Sequence, residues 1–175
     1  MKRPVWLCAL LLSAAIPAHA VQIAYDLESL GGNGYRYTYT VTNDGTTGGA
    51  VELFDVLFDP ALYDESSLTI ATNDPPSSSW DQIILASGLS VPAAYDALSL
   101  TGGIPIFGFE TGFKVEFQWL GADLPGAQGF AIYDPVTFDL LESGNTTVVP
   151  LPGALPLFLS ALGGIGVFGR KRART

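Results

Sequence analysis

Along the middle of this chain the side chains alternate with a period of two, and that alternation limits the possible folds more than any other feature. Tyr35, Tyr37, Tyr39 and Val41 face one way, and Arg36, Thr38, Thr40 and Thr42 face the other. Only an extended strand puts every second residue on one face, and aromatic and β-branched side chains suit such a surface. Phe113, Val115, Phe117 and Trp119 repeat the pattern against Lys114, Glu116, Gln118 and Leu120. Val51 to Phe58 reads as a further strand, with Phe54, Val56 and Phe58 on one side. Shorter strands are predicted over Leu68–Thr72 and Trp80–Ala86, and a final pair over Phe130–Tyr133 and Val136–Leu141, split by Asp134-Pro135. Turn residues separate them at Asn43-Asp44-Gly45, across 73–79, at Gly102-Gly103 and across Gly121–Gly129. Asp59 predicts the cap of one helical turn, with Pro60 at its first position and Leu62 and Tyr63 carried inward. Pro92–Leu100 is ambiguous, since Ala93, Ala94 and Ala97 favour a helical turn. Many short strands between turn signals predict an all-β fold, a single β-sandwich or jelly-roll-like domain.

Two apolar segments flank that body. At the start, Lys2 and Arg3 precede an uncharged apolar stretch from Val5 to Ile16, too short to span a bilayer comfortably. Ala18-His19-Ala20 matches an A-x-A cleavage site, with cleavage before Val21. At the other end, Gly153 to Gly169 carries no charge and is just long enough for a transmembrane helix, for which about 17 to 25 residues are needed. Arg170, Lys171, Arg172 and Arg174 follow and set the topology, because basic residues stay on the cytoplasmic side. The organisation expected is a signal peptide over 1–20, a β-sandwich over 21–144, a linker and motif over 145–152, a membrane helix over 153–169 and a basic tail over 170–175.

The tail resembles the PEP-CTERM sorting signal of Gram-negative bacteria. The residues that carry the likeness are Val149, Pro150, Leu151 and Pro152, then the apolar run, then the Arg-rich terminus. Leu151 stands where the family has Glu. The resemblance implies recognition by an exosortase and cleavage near the motif. It implies an inner-membrane precursor delivered to the cell surface or outside the cell, and a link to exopolysaccharide and biofilm, with exopolysaccharide as a further partner. The body is similar to the β-rich domain of many such proteins at Tyr37–Asn43, Gly112–Gly121 and Pro125–Phe130. That likeness implies fold and export and carries no activity.

The inventory of reactive side chains is short. Cys8, His19 and Met1, each the only residue of its kind, all precede Val21. A chain processed there has no thiol or imidazole nucleophile and no His or Cys zinc ligand. All 17 acidic residues lie in the body, against Arg36 and Lys114, so its formal charge is −15. Such a surface repels nucleic acid. No catalytic residue, metal or cofactor is expected. Glu110, Glu116, Asp123 and Asp134 are the carboxylates nearest to a glycosidase pair, but no motif singles two of them out. Asn43 with Asp44, Asp55 with Asp59, Asp64 with Glu65, and Asn73 with Asp74 offer calcium oxygens outside any regular loop motif. The second reading is a membrane-anchored carbohydrate-binding module. For it, Trp80 is expected to be the exposed stacking aromatic, with Tyr95 beside it, while Trp119 belongs to the core. Asn145-Thr146-Thr147 reads as an exposed linker before the sorting motif.

Overall fold

The computed structural model describes residues 21–73, 76–89 and 91–149. The leader, its cleavage residues Ala18 and Ala20, and everything from Pro150 onward, including Arg170 to Arg174, lie outside the described residues. So does Asp74.

Among the described residues, ten strands form two five-stranded sheets, with one helical turn between two of them. The strands are β1 (Gln22–Gly31), β2 (Gly34–Thr42), β3 (Leu53–Phe58), β4 (Tyr63–Ile70), β5 (Trp80–Leu85), β6 (Ala93–Ser99), β7 (Phe109–Trp119), β8 (Gly129–Tyr133), β9 (Leu140–Asn145) and β10 (Thr147–Val148), with the turn α1 at Pro76–Ser79. The first sheet runs β10-β1-β2-β7-β4 and the second β5-β6-β3-β8-β9. All neighbours are antiparallel except β10 and β1, which are parallel. The two inner faces enclose one aromatic core, as the alternation requires. Tyr37 stacks on Phe117 at 4.9 Å, Phe54 meets Phe113 edge-on at 5.1 Å, and Trp80 meets Phe113 at 5.2 Å. Offset and edge-on ring pairs of this kind add to the stabilisation from area burial alone.

The core keeps its tyrosine hydroxyls paired. Tyr39 donates to Gln128 Oε1 at 2.7 Å, Tyr95 donates to Gln82 Oε1 at 2.6 Å, and Tyr37 donates to the Gly126 carbonyl at 2.8 Å. The bonds to Gln128 and Gly126 fasten the loop between β7 and β8 onto the first sheet, and the bond to Gln82 ties β6 to β5.

Several local expectations are resolved or corrected. The ambiguous stretch Pro92–Leu100 holds strand β6 over Ala93–Ser99, with Ala93 and Ala97 as the small inward residues on either side of Tyr95. Val136 to Asp139 is a turn, and the last strand of the second sheet is β9. The Asp134 carboxylate accepts from the amides of Val136 and Thr137, both at 2.8 Å, which closes the chain on itself there. The turn at Asp59 forms as expected, with Ala61 N donating to Asp59 Oδ1 at 2.9 Å. It buries Tyr63 but leaves Leu62 exposed. Asn145 ends β9 and Thr147–Val148 form β10, so the segment is tied to the sheets rather than forming a linker, with Asn145 and Thr147 exposed as expected and Thr146 buried between them. Thr146 is 1% exposed, its hydroxyl accepts from Gln128 N at 2.9 Å, and its own amide donates to the Gln128 carbonyl at 2.8 Å.

Candidate functional site

The stacking platform expected from sequence does not form. Trp80 is 3% exposed and Tyr95 0%, both inside the core, and Trp119 is buried as expected. Trp80 faces inward because it begins β5 opposite Ser99, and its indole N–H donates to Glu110 Oε2 at 2.9 Å. Glu110 reaches it because β7 is irregular at Gly112, where φ is +101° and the register with β2 shifts between Tyr39 and Thr40. The irregularity exchanges faces along the strand. Glu110 turns toward the sandwich, and Phe109 turns out and is 70% exposed.

The four acids considered for hydrolysis are scattered. Glu116 pairs with Arg36, whose Nε donates to it at 3.0 Å while Nη1 bonds Glu28 at 2.9 Å. Glu110 serves Trp80, Asp134 caps its turn, and the Asp123 carbonyl accepts from Trp119. The calcium candidates act in the same local way. Asp44 accepts from Thr46 N at 3.1 Å, Asp59 from Ala61 N, Asp64 from Ser66 N at 3.1 Å, and Glu65 from Ser87 N at 3.0 Å. Among the described residues, no three acids, His or Cys group as a metal site, and no helix is long and apolar enough to cross a membrane.

What the fold does bring together is a pair the sequence left apart. Asp55 of β3 lies directly opposite Asp96 of β6. Phe54 and Val56 face inward on β3, as do Tyr95 and Ala97 on β6, so both carboxyls stand on the outer face of the second sheet. The row across that face is Ile83, Asp96, Asp55, Ala131 and Ser143. Ile83 and Leu85 are exposed at one side, and Leu57 and Tyr133 are half-buried next to the pair. Asp55 Oδ1 is fully buried, and no N–H or O–H of another residue reaches it. A carboxylate only accepts hydrogen bonds. An ionised Asp55 therefore leaves that oxygen without a donor, which favours its protonated form.

The titration follows from this setting. Burial, then the hydrogen bond to Asp96, then its charge, push Asp55 up to about 7. Burial raises Asp96 as well, the bond to Asp55 lowers it, and the charge of Asp81 raises it. Tyr133 faces the pair from β8, and its hydroxyl is raised by burial and then by the two acids. No cation offsets them, because the only described ones, Arg36 and Lys114, are on β2 and β7 of the other sheet. A carboxyl raised in the folded state stabilises that state fully below the ordinary range of about 4 and loses the contribution as pH climbs through about 7. Melting temperature is therefore expected to fall between pH 4.5 and pH 7.5. The loss is about 1 to 2 kcal/mol after allowance for solvent screening of a part-exposed group, or roughly 5 °C. Asp55→Asn should flatten the profile. An equal slope in the variant would show that the pair does not carry it.

Two carboxyls on directly opposed residues of adjacent strands face each other side by side, not across a cleft that a glycosidic bond could enter, whereas glycosidases space theirs by at least about 5 Å across the scissile bond. The arrangement instead offers an outer sheet face on which Ile83, Leu85, Leu57 and Tyr133 surround the carboxyl pair, with exposed Asp81 at its side. It can donate or accept hydrogen bonds, and when ionised it can receive a cationic group.

A second exposed feature lies at the far end of the sandwich, where β2 ends. Asn43 is buried there, and its Nδ2 donates to the carbonyls of Gly49 and Ile104, both at 2.9 Å. The Asn43 amide donates to the Gly108 carbonyl, and its carbonyl accepts from Phe107 N at 2.8 Å. Phe107 is held at φ +63° with its ring 81% exposed. A left-handed conformation is costly for an aromatic residue and persists only where the surroundings impose it.

No protein-family model matches the chain, and no curated protein matches it. Solved structures of similar outline include a chain of a type I cohesin–dockerin complex from Clostridium thermocellum, 14% identical, covering 73% of this chain and 99% of that one, with a TM-score of 0.33. The seventh ScaB type I cohesin from Pseudobacteroides cellulosolvens is 12% identical over 75% of this chain and 94% of its own, also at 0.33. The CaCohA2 solution structure from Clostridium acetobutylicum is 15% identical over 73% and 91%, at 0.31. Likenesses this loose carry no argument about what this chain binds.

Proposed function

We propose that this is an exported, non-catalytic envelope protein whose β-sandwich is a binding module and whose tail is a sorting signal handled by an exosortase. The observation that carries the binding reading is the Asp55–Asp96 pair on the outer face of the second sheet. An uncharged residue at either place would satisfy the sheet at lower cost, since a buried carboxyl without a cation is expensive. Desolvated groups with strongly shifted titration concentrate at working surfaces. The partner that fits is one presenting an ammonium or guanidinium group ringed by apolar side chains, bound more tightly once the pair ionises above about pH 7. Burial of Trp80 and Tyr95 weakens the carbohydrate alternative.

The sorting reading rests on the tail. Val149 N donates to the Tyr25 carbonyl at 2.9 Å, so the folded body extends to the first residue of the motif. Pro150 has no N–H and cannot prolong the ladder. The test is the intact mass of the mature protein from its native host and from the same host lacking its exosortase. A chain ending between Val149 and Pro152 in the first and retaining the tail in the second is expected. Neutral residues in place of Arg170, Lys171, Arg172 and Arg174 should abolish retention or processing. An intact tail in both hosts would reduce the segment to a plain membrane anchor.

A further inference from the structure

Short β10 states in which direction the chain leaves the body. It pairs parallel with β1, Ala24 opposite Thr147 and Tyr25 opposite Val148. β1 runs from Gln22 to Gly31, so the chain leaves heading for the hairpin where β1 meets β2. Only Pro150, Leu151 and Pro152 separate Val149 from the uncharged run that begins at Gly153. Three residues reach at most about 10 Å. The part of β1 still ahead, from Tyr25 to Gly31, is about 20 Å long. A tether shorter than the remaining edge does not let the body swing free of whatever holds the run.

The end toward which the chain heads is apolar. It is built from the β1–β2 hairpin, the turn after β3, the β5–β6 connection and the loop after β7. Trp119 N donates to the Asn33 carbonyl and Leu120 N to the Leu62 carbonyl, both at 2.8 Å, so these segments form one surface. It exposes Leu30, Leu62, Leu89, Val91, Leu120 and Leu124. An exposed apolar set marks a contact surface, and the opposite end has one too, with Leu100, Ile106, Phe107, Phe109, Val136 and Phe138, so the choice between the ends rests on the direction in which β10 leaves. Among the described residues its rim carries Asp59, which caps Ala61, Asp123, and Glu65, which accepts from Ser87 in the β5–β6 connection, and its connecting segments hold no Lys or Arg.

We infer that this leucine end rests on the bilayer when the C-terminal run is inserted, with its leucines in the headgroup region and the Phe107 end turned away. The inference depends on reading residues 153–169 as a membrane span. It commits to a zwitterionic lipid surface, because the acidic body repels an anionic one.

The test uses the full chain with Cys8→Ser, which removes the only thiol, and single cysteines at Leu89→Cys, Leu124→Cys or Phe107→Cys carrying a polarity-sensitive fluorophore. All three sites are exposed, so the label should not perturb the core. With phosphatidylcholine vesicles, probes at 89 and 124 should shift to the blue and brighten severalfold, while the probe at 107 keeps its aqueous spectrum. If the chain floats with the vesicles but probes 89 and 124 stay aqueous, the orientation is wrong and the anchor stands. If the chain does not float with the vesicles, both the anchor and the orientation fail.

Discussion

Phe54→Ala is expected to lower the unfolding free energy of the protein by about 4 kcal/mol, the usual cost of emptying a fully buried aromatic site. Phe54 is fully buried and meets three rings edge-on: Phe113 at 5.1 Å, Trp80 at 5.6 Å and Tyr95 at 6.1 Å. Those rings come from β7, β5 and β6, so the cavity would open where the two sheets touch. The loss is a large share of the about 5 to 15 kcal/mol that holds a domain together. Urea unfolding measures it, and a change below about 1.5 kcal/mol would mean that the rings collapse into the space. Phe54→Leu, which keeps most of the volume, should cost less than half as much.

Asn43→Ala is expected to cost about 2 kcal/mol, for a different reason. The side chain fills no large space, but its Nδ2 satisfies the carbonyls of Gly49 and Ile104, and its Oδ1 accepts from Gly45 N at 2.9 Å. Removing it takes one of two donors from each carbonyl, since Gly49 keeps Thr47 Oγ1 and Ile104 keeps Val51 N, and it leaves the Gly45 amide without its acceptor; an unsatisfied buried group costs about 1 to 3 kcal/mol. Asn43→Asp should be as damaging, because it keeps the acceptor and loses both donors. The same bonds hold the segment that forces Phe107 into its left-handed conformation, so amide exchange over 104–108 should quicken in either variant. A stability change under about 1 kcal/mol would show that water replaces the lost bonds.

The contrast between these residues explains what could be read in advance. Phe54 is legible because a strand face repeats every two residues and its apolar members must find a core. The ladders of β2, β3 and β7 are legible for the same reason. β6 is not, since its inward residues are mostly alanine, which is apolar enough for a core and helical enough for a turn. Asn43 reads as a turn residue, which it is, but nothing local announces that the turn is buried. β10 is opaque because Thr146 and Thr147 look like linker until β1 and Gln128 supply their partners.

The sequence by itself determined that the body is built of strands, that a chain cut before Val21 has no imidazole or thiol chemistry, and that the charges of the body and the tail are opposite in sign. These follow from composition and from periods of a few residues, which need no knowledge of distant neighbours. Only the tertiary structure decided that Asp55 and Asp96 face each other across β3 and β6, that Trp80 is buried, and that the chain leaves the body heading for its leucine end. Each of these depends on register between strands far apart in the sequence. Register is set by the sum of cross-strand contacts and by irregularities such as the one at Gly112, and a shift of one residue would turn every one of those side chains to the opposite face.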